Sequence, residues 1–148
     1  MVENFIPNFF EGRVIHGRKI GRTIGFPTAN LHLNQELEKQ FLKGVYGVEV
    51  YHKGSIYHGV MNIGVRPTFK DIKPSISVEV HILDFKQDIY GDCIGIEVVC
   101  FIREEVPFKS KDQLIQQLNK DIEQAWKMCQ VRGKFIKKPV LKNNVTYI

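Results

Sequence analysis

The chain has 148 residues, 43% hydrophobic and 25% charged, with a formal net charge of +5, which is the composition of a single globular domain (1–148) large enough to bury a core. No apolar run approaches the length that crosses a bilayer, and the N-terminus has no signal-peptide h-region, so no membrane partner is expected and a cytoplasmic location is the default. Cys93, Cys100 and Cys129 form an odd set without Cys-x-x-Cys spacing, which argues against a disulfide framework and a thiolate zinc site.

In chain order, "FFEGRVIHG" (9–17) reads as a first strand. "GRTIGFPTANL" (21–31) follows, where Pro27 fixes the backbone and biases Phe26 toward an extended conformation. If the segment then runs as a strand, Thr28 and Asn30 share one face and Ala29 takes the other. "GVYGVEVYHKGSIYHGVMNIG" (44–64) gives two runs rich in Val, Ile and Tyr joined across "HKGS", an antiparallel hairpin with Gly54 in the turn. "SISVEVHILDF" (75–85) alternates, with Ile76, Val78, Val80 and Ile82 on one face and Ser77, Glu79, His81 and Leu83 on the other. "CIGIEVVCFIREE" (93–105) puts Ile94, Ile96, Val98, Cys100 and Ile102 on one face.

One helix follows, over 110–130. Leu114, Leu118, Ile122, Ala125, Trp126 and Cys129 form its apolar stripe, read as core rather than as a cofactor box. Ser110 and Gln113 make a capping box, and Gly133 marks the stop. The core thus runs from about 9 to 130, and 131–148 is a basic tail carrying Arg132, Lys134, Lys137, Lys138 and Lys142. Short antiparallel strands and one amphipathic helix predict a small barrel or curled sheet with the helix over a mouth or flank. βαβ alternation and the G-x-x-x-x-G-K-[ST] loop are both missing, so a nucleotide site must be built another way.

Two places carry candidate chemistry. Around Thr28 and Asn30, a hydroxyl and an amide carbonyl are neutral hard oxygens suited to Mg²⁺. Gly17, Gly21 and Gly25 allow close backbone approach to phosphate, with Arg18, Lys19 and Arg22 adding positive charge. Residues alone leave this open between a surface turn and a phosphate site. Glu79 is open in the same way, between a solvent-facing strand carboxylate and a general base, with His81 on its face. The loops beginning at "NIGVRPTF" (62–69), "DFKQDIYG" (84–91) and "IREEVPFKS" (102–110) are ordinary by composition, but a small barrel can gather them at one end.

"HGRKIGRTIGFPTANL", "GVYGVEV", "GVMNIGVRPTF", "VEVHILDFKQDIYG", "IREEVPFKS" and "LIQQLNKDIEQA" occur in this order. Together they resemble the riboflavin kinase (flavokinase) family, in particular the kinase half of bacterial bifunctional riboflavin kinase/FMN adenylyltransferases. The resemblance implies a mainly β fold, a closed six-stranded antiparallel Greek-key barrel with a C-terminal helix. It implies ATP-dependent phosphorylation of the terminal ribityl hydroxyl of riboflavin, giving FMN and ADP. It places Thr28 and Asn30 on the metal and the nucleotide phosphates, and Gly17, Arg18, Gly21, Arg22 and Gly25 in a flap over those phosphates. Glu79 corresponds to the catalytic base. Arg103, with Glu104 and Glu105, corresponds to the loop over the flavin, where many relatives carry Pro in place of Glu104. Mg²⁺, with Zn²⁺ or Mn²⁺ as alternatives, is the implied metal and ATP the co-substrate. The adenylyltransferase domain is missing, so the chain is expected to be a single-function kinase or an excised domain of a larger FAD synthetase. Rival readings are a nucleic-acid-binding barrel, which the absence of a tandem aromatic motif disfavours, and a flavin carrier without catalysis.

Overall fold

The computed structural model describes residues 8–16, 27–38, 40–66 and 75–131. They form β1 (Phe9–Ile15), β2 (Ala29–His32), a short α1 (Gln35–Glu38), β3 (Gly44–His52), β4 (Ser55–Arg66), β5 (Ser75–Ile82), β6 (Cys93–Arg103) and α2 (Lys111–Val131). All neighbouring strands are antiparallel in the order β1-β2-β5-β4-β3-β6, and β6 pairs back onto β1 to close a barrel. β3, β4 and β5 run consecutively, and β6 returns beside β3, which is the Greek-key connection. The expected barrel and C-terminal helix are therefore present.

Local chemistry explains the framework. The β3–β4 hairpin turns at Lys53 (φ 46°) and Gly54 (φ 81°) between the paired residues His52 and Ser55. Two positive φ values in a two-residue loop match the right-handed twist of the flanking strands. Inside the barrel, alternate residues such as Val48, Val50, Met61, Ile63, Val78, Val80 and Ile96 make a continuous core. The expected alternation of β5 holds, since Val78, Val80 and Ile82 face that core.

β6 departs from its expected single face. Its register with β3 slips between Val45 and Tyr46 and again between Gly47 and Val48. Each slip places two β6 residues against one on β3, as a bulge does. Ile94, Ile96 and Val98 stay with the barrel core, but Ile102 packs in the second cluster, under the helix. Cys100 pairs with Gly47, whose missing Cβ would lie 2.9 Å from Cys100 Sγ and 3.2 Å from Ala125 Cβ, so it too faces the helix. An alternating pattern conceals such slips because inside and outside of β6 are both apolar here.

α2 lies on the flank of the barrel, where Ile115, Ile122 and Ala125 bury against Val45 and Val60. The buried line therefore begins at Ile115 rather than Leu114, and Leu114, Leu118 and Trp126 sit at its half-buried border. The Cys129 side chain and Gly133 lie outside the described residues. Ser110 caps the helix by accepting from the Gln113 N–H (3.2 Å), while Gln113 Oε1 accepts from the Lys109 N–H (3.2 Å). The box thus closes one residue earlier than the usual reciprocal pair.

Candidate active site

Residues directly opposite in antiparallel strands project from the same face with Cβ atoms about 5 Å apart. Asn30 on β2 is opposite Glu79 on β5, and Glu79 is opposite Asn62 on β4. Asn62 is opposite Val45 on β3, and Val45 is opposite Arg103 on β6. With Val78 and Val80 turned inward, Glu79 and its row face outward, toward α2. Residues from 30 to 103 in the sequence are thereby brought into one line across five strands.

Over this line lies a partly open cavity of about 260 Å³, bounded by the barrel wall, segment 104–108 and α2. Val45, Val60, Phe108, Leu114, Leu118 and Ile122 make its apolar walls, and Thr28, Asn62, Glu79, His81, Arg103, Glu105 and Asp121 its polar groups. A mostly apolar cleft with a few convergent polar side chains is the usual form of a small-molecule site. None of residues 84–91 lines it, whereas Asn62 from segment 62–69 and Arg103, Glu105, Val106 and Phe108 from segment 102–110 do.

Thr28 and Asn30 share the outer face, as the alternation implies; Ala29 packs toward the core. Asn30 is 4% exposed, and its Oδ1 has no hydrogen-bond partner among the described residues. A buried acceptor left unsatisfied is costly and calls for a donor or a cation. Thr28 Oγ1 and Asn30 Oδ1 are neutral hard oxygens, the donor type that Mg²⁺ accepts alongside water and phosphate. The residues present fit such an ion. No group of three or more His, Cys, Asp or Glu is placed to hold a metal among the described residues. His81 Nδ1–H donates to the Pro27 carbonyl (2.8 Å), pinning β5 to the entrance of the Pro-Thr-Ala-Asn strand. A carbonyl only accepts, so this bond puts the proton on Nδ1.

Arg103 lines the cavity but is firmly held. Its Nε and Nη2 each donate to Asp121 at 2.9 Å, and Nη1 donates to the Glu104 carbonyl at 3.0 Å. Asp121 is 1% exposed and also accepts from Gln117 Nε2 at 2.9 Å. The guanidinium lies over Phe108, 5.6 Å from the ring centroid. This network fastens segment 104–108 to α2. Glu105 lies over Gly64, where a Cβ would fall 2.6 Å from Glu105 Oε1. Glu104 is exposed and does not line the cavity. Gly17, Arg18, Gly21, Arg22 and Gly25 lie outside the described residues.

Three contributors escape the sequence reading: Asn62, Phe108 and Asp121. Asp121 leaves a trace, because a carboxylate next to Ile122 on the buried side of an amphipathic helix requires a cationic partner. Asn62 begins one of the loops singled out, yet only strand register places it beside Glu79.

The comparisons bear on the family and the fold. The family model for riboflavin kinase (Flavokinase) matches residues 5–129. A bifunctional riboflavin kinase/FMN adenylyltransferase of Haemophilus influenzae is 46% identical over 128 residues, covering 84% of this chain and 40% of the relative. Its Bacillus subtilis counterpart is 46% identical over 120 residues, covering 80% of this chain and 38% of the relative. The chain thus spans about two fifths of the length of these curated relatives. Among solved structures, the riboflavin kinase of Trypanosoma brucei superposes with a TM-score of 0.62 at 25% identity, over 82% of this chain and 79% of that one. A Streptococcus pneumoniae chain described as a macrolide-efflux protein superposes with a TM-score of 0.72 at 39% identity, over 81% of this chain and 38% of that one. Among the described residues no helix is long and apolar enough to cross a membrane. With the family model covering most of its length, the chain belongs to the riboflavin kinase family.

Proposed function

We propose that this chain transfers the γ-phosphoryl group of ATP to the terminal ribityl hydroxyl of riboflavin, giving FMN and ADP. The observation that carries this reading is the cross-strand pairing of Asn30 with Glu79, whose carboxylate lines a mostly apolar cavity. Riboflavin has the matching polarity, a flat ring joined to a polyol with a primary hydroxyl at its end. The ring occupies the apolar part, against Phe108 and the α2 leucines, and the polyol runs toward Glu79.

The Glu79 carboxylate takes the proton of the terminal hydroxyl as the oxygen lone pair forms its bond to the γ-phosphorus. The bond from that phosphorus to the β–γ bridging oxygen breaks, and its electron pair leaves with ADP. Such a transfer depends on positioning and charge neutralisation more than on covalent participation by the protein. Thr28 and Asn30 are the residues that would hold a divalent metal, Mg²⁺ in this reading, which neutralises phosphate charge when bound. His81 keeps the strand carrying them in place through Pro27. Gly17, Arg18, Gly21, Arg22 and Gly25 are assigned to the phosphates from their motif alone. Arg103, held by Asp121, and Glu105 are assigned to the flavin end of the cavity, and Glu104 contributes its carbonyl to Arg103.

The test is direct: incubate the chain with riboflavin, ATP and Mg²⁺ and separate the flavins by chromatography. FMN formed in proportion to ADP supports the reading. Flavin binding without FMN would leave a carrier, and ATP hydrolysis without FMN would reject riboflavin as the acceptor.

A further inference from the structure

Asn62 is the polar residue of the row that the proposed reaction leaves without a task. It is exposed on the outer face of β4, lines the cavity and lies directly opposite Glu79. Its carboxamide makes no hydrogen bond with any described residue. On its other side the row turns apolar at Val45, which with Val60 and Leu118 belongs to the hydrophobic wall. Asn62 therefore marks the boundary between the polar and apolar parts of the cavity, one strand spacing, about 5 Å, from the carboxylate.

A substrate whose polar chain ends at Glu79 and whose ring rests on the apolar wall must cross this boundary. The part of it that crosses there is the inner portion of the polyol. A carboxamide both donates and accepts, as a hydroxyl does, so the two can pair in either sense. A carboxylate in the same place would only accept, and would set a second negative charge beside Glu79. An aliphatic side chain would leave the inner hydroxyls unpaired as they leave water.

Resting on the riboflavin reading above, we propose that Asn62 is a specificity-determining residue that hydrogen-bonds an inner ribityl hydroxyl and so sets the terminal hydroxyl against Glu79. It distinguishes a polyol side chain from a plain alkyl one, and it acts on the chain rather than on the ring.

The experiment compares riboflavin with lumiflavin, which has the same ring but a methyl group in place of the polyol. Binding of both is measured by quenching of flavin fluorescence, in the unmodified chain and in Asn62→Ala. Riboflavin affinity is expected to fall about tenfold in the variant, the loss of one hydrogen bond, with lumiflavin affinity unchanged. Equal losses for both flavins, or no loss for either, would overturn the assignment while leaving the flavin reading intact. An unmodified chain that binds neither flavin would overturn both. Asn62→Asp, nearly the same shape, guards against a folding artefact. It should shift the acidic limb of the kcat/KM–pH profile upward, because adjacent carboxylates resist ionising together. An unmoved profile with intact flavin affinity would count against a shared site.

Discussion

Asn30 and Glu79 are separated by 48 intervening residues but meet as direct partners across two strands. Both were readable as residue types, a neutral oxygen ligand and a carboxylate, and the family motifs drew attention to them. Their juxtaposition was not readable, because a cross-strand partner is chosen by register and a slip of one residue would turn every side chain to the other face. The same reason hid the place of Asn62 beside Glu79. The buried, unsatisfied Oδ1 of Asn30 leads to a specific expectation. Asn30→Ala and Thr28→Ala should raise the KM for ATP and the Mg²⁺ concentration needed for half-maximal rate. The rise should be about 10- to 100-fold, the range for interactions with charged groups. Titration of initial rate against Mg²⁺ and ATP checks this, and an unchanged metal dependence would remove these residues from the metal site.

At the scale of the element, α2 serves two purposes. Ile115, Ile122 and Ala125 bury against the barrel, while Leu114, Leu118 and Asp121 form one side of the cavity. The helix was legible from its period, its Ser110 cap and its length. Its second purpose was not, since a stripe read only as core carries no sign that part of it faces a ligand. The bulges of β6 were equally hidden, behind an apolar alternation that fits both faces of that strand. Arg103 shows what such elements do together: β6 delivers it, and Asp121 on α2 fixes it with two 2.9 Å bonds. Asp121→Ala would strand a largely buried guanidinium, whose side chain is 18% exposed. Denaturant unfolding should then show a loss of about 3 to 5 kcal/mol. The KM for riboflavin should rise as well, because segment 104–108 loses its attachment to the helix. A loss within experimental error would mean that the pair contributes little to either.

For the whole molecule, strands, helix and a small barrel or curled sheet followed from alternation and periodicity, and the closed six-stranded Greek-key form from the resemblance. Closure itself adds what a list of strands lacks. A closed sheet has no edge to slip along, so the row from Asn30 through Glu79 to Arg103 is held at fixed spacing. The helix on the flank then converts that row into one side of a partly open cleft. Three loop segments were expected to gather at one end; two of them, through Asn62 and through Arg103, Glu105, Val106 and Phe108, reach the cavity on the outer face under α2. The residues that the proposed reaction uses are thus mounted on rigid strands, as phosphoryl transfer by positioning requires.

The central claim is that Glu79 takes the proton from the flavin hydroxyl, and Glu79→Gln tests it most directly. FMN formation is followed under saturating ATP and Mg²⁺, with riboflavin binding measured on the same preparation. The predicted result is a kcat lower by about 10² to 10⁴ with riboflavin affinity essentially retained. A variant that turns over riboflavin at nearly the unmodified rate would contradict the account.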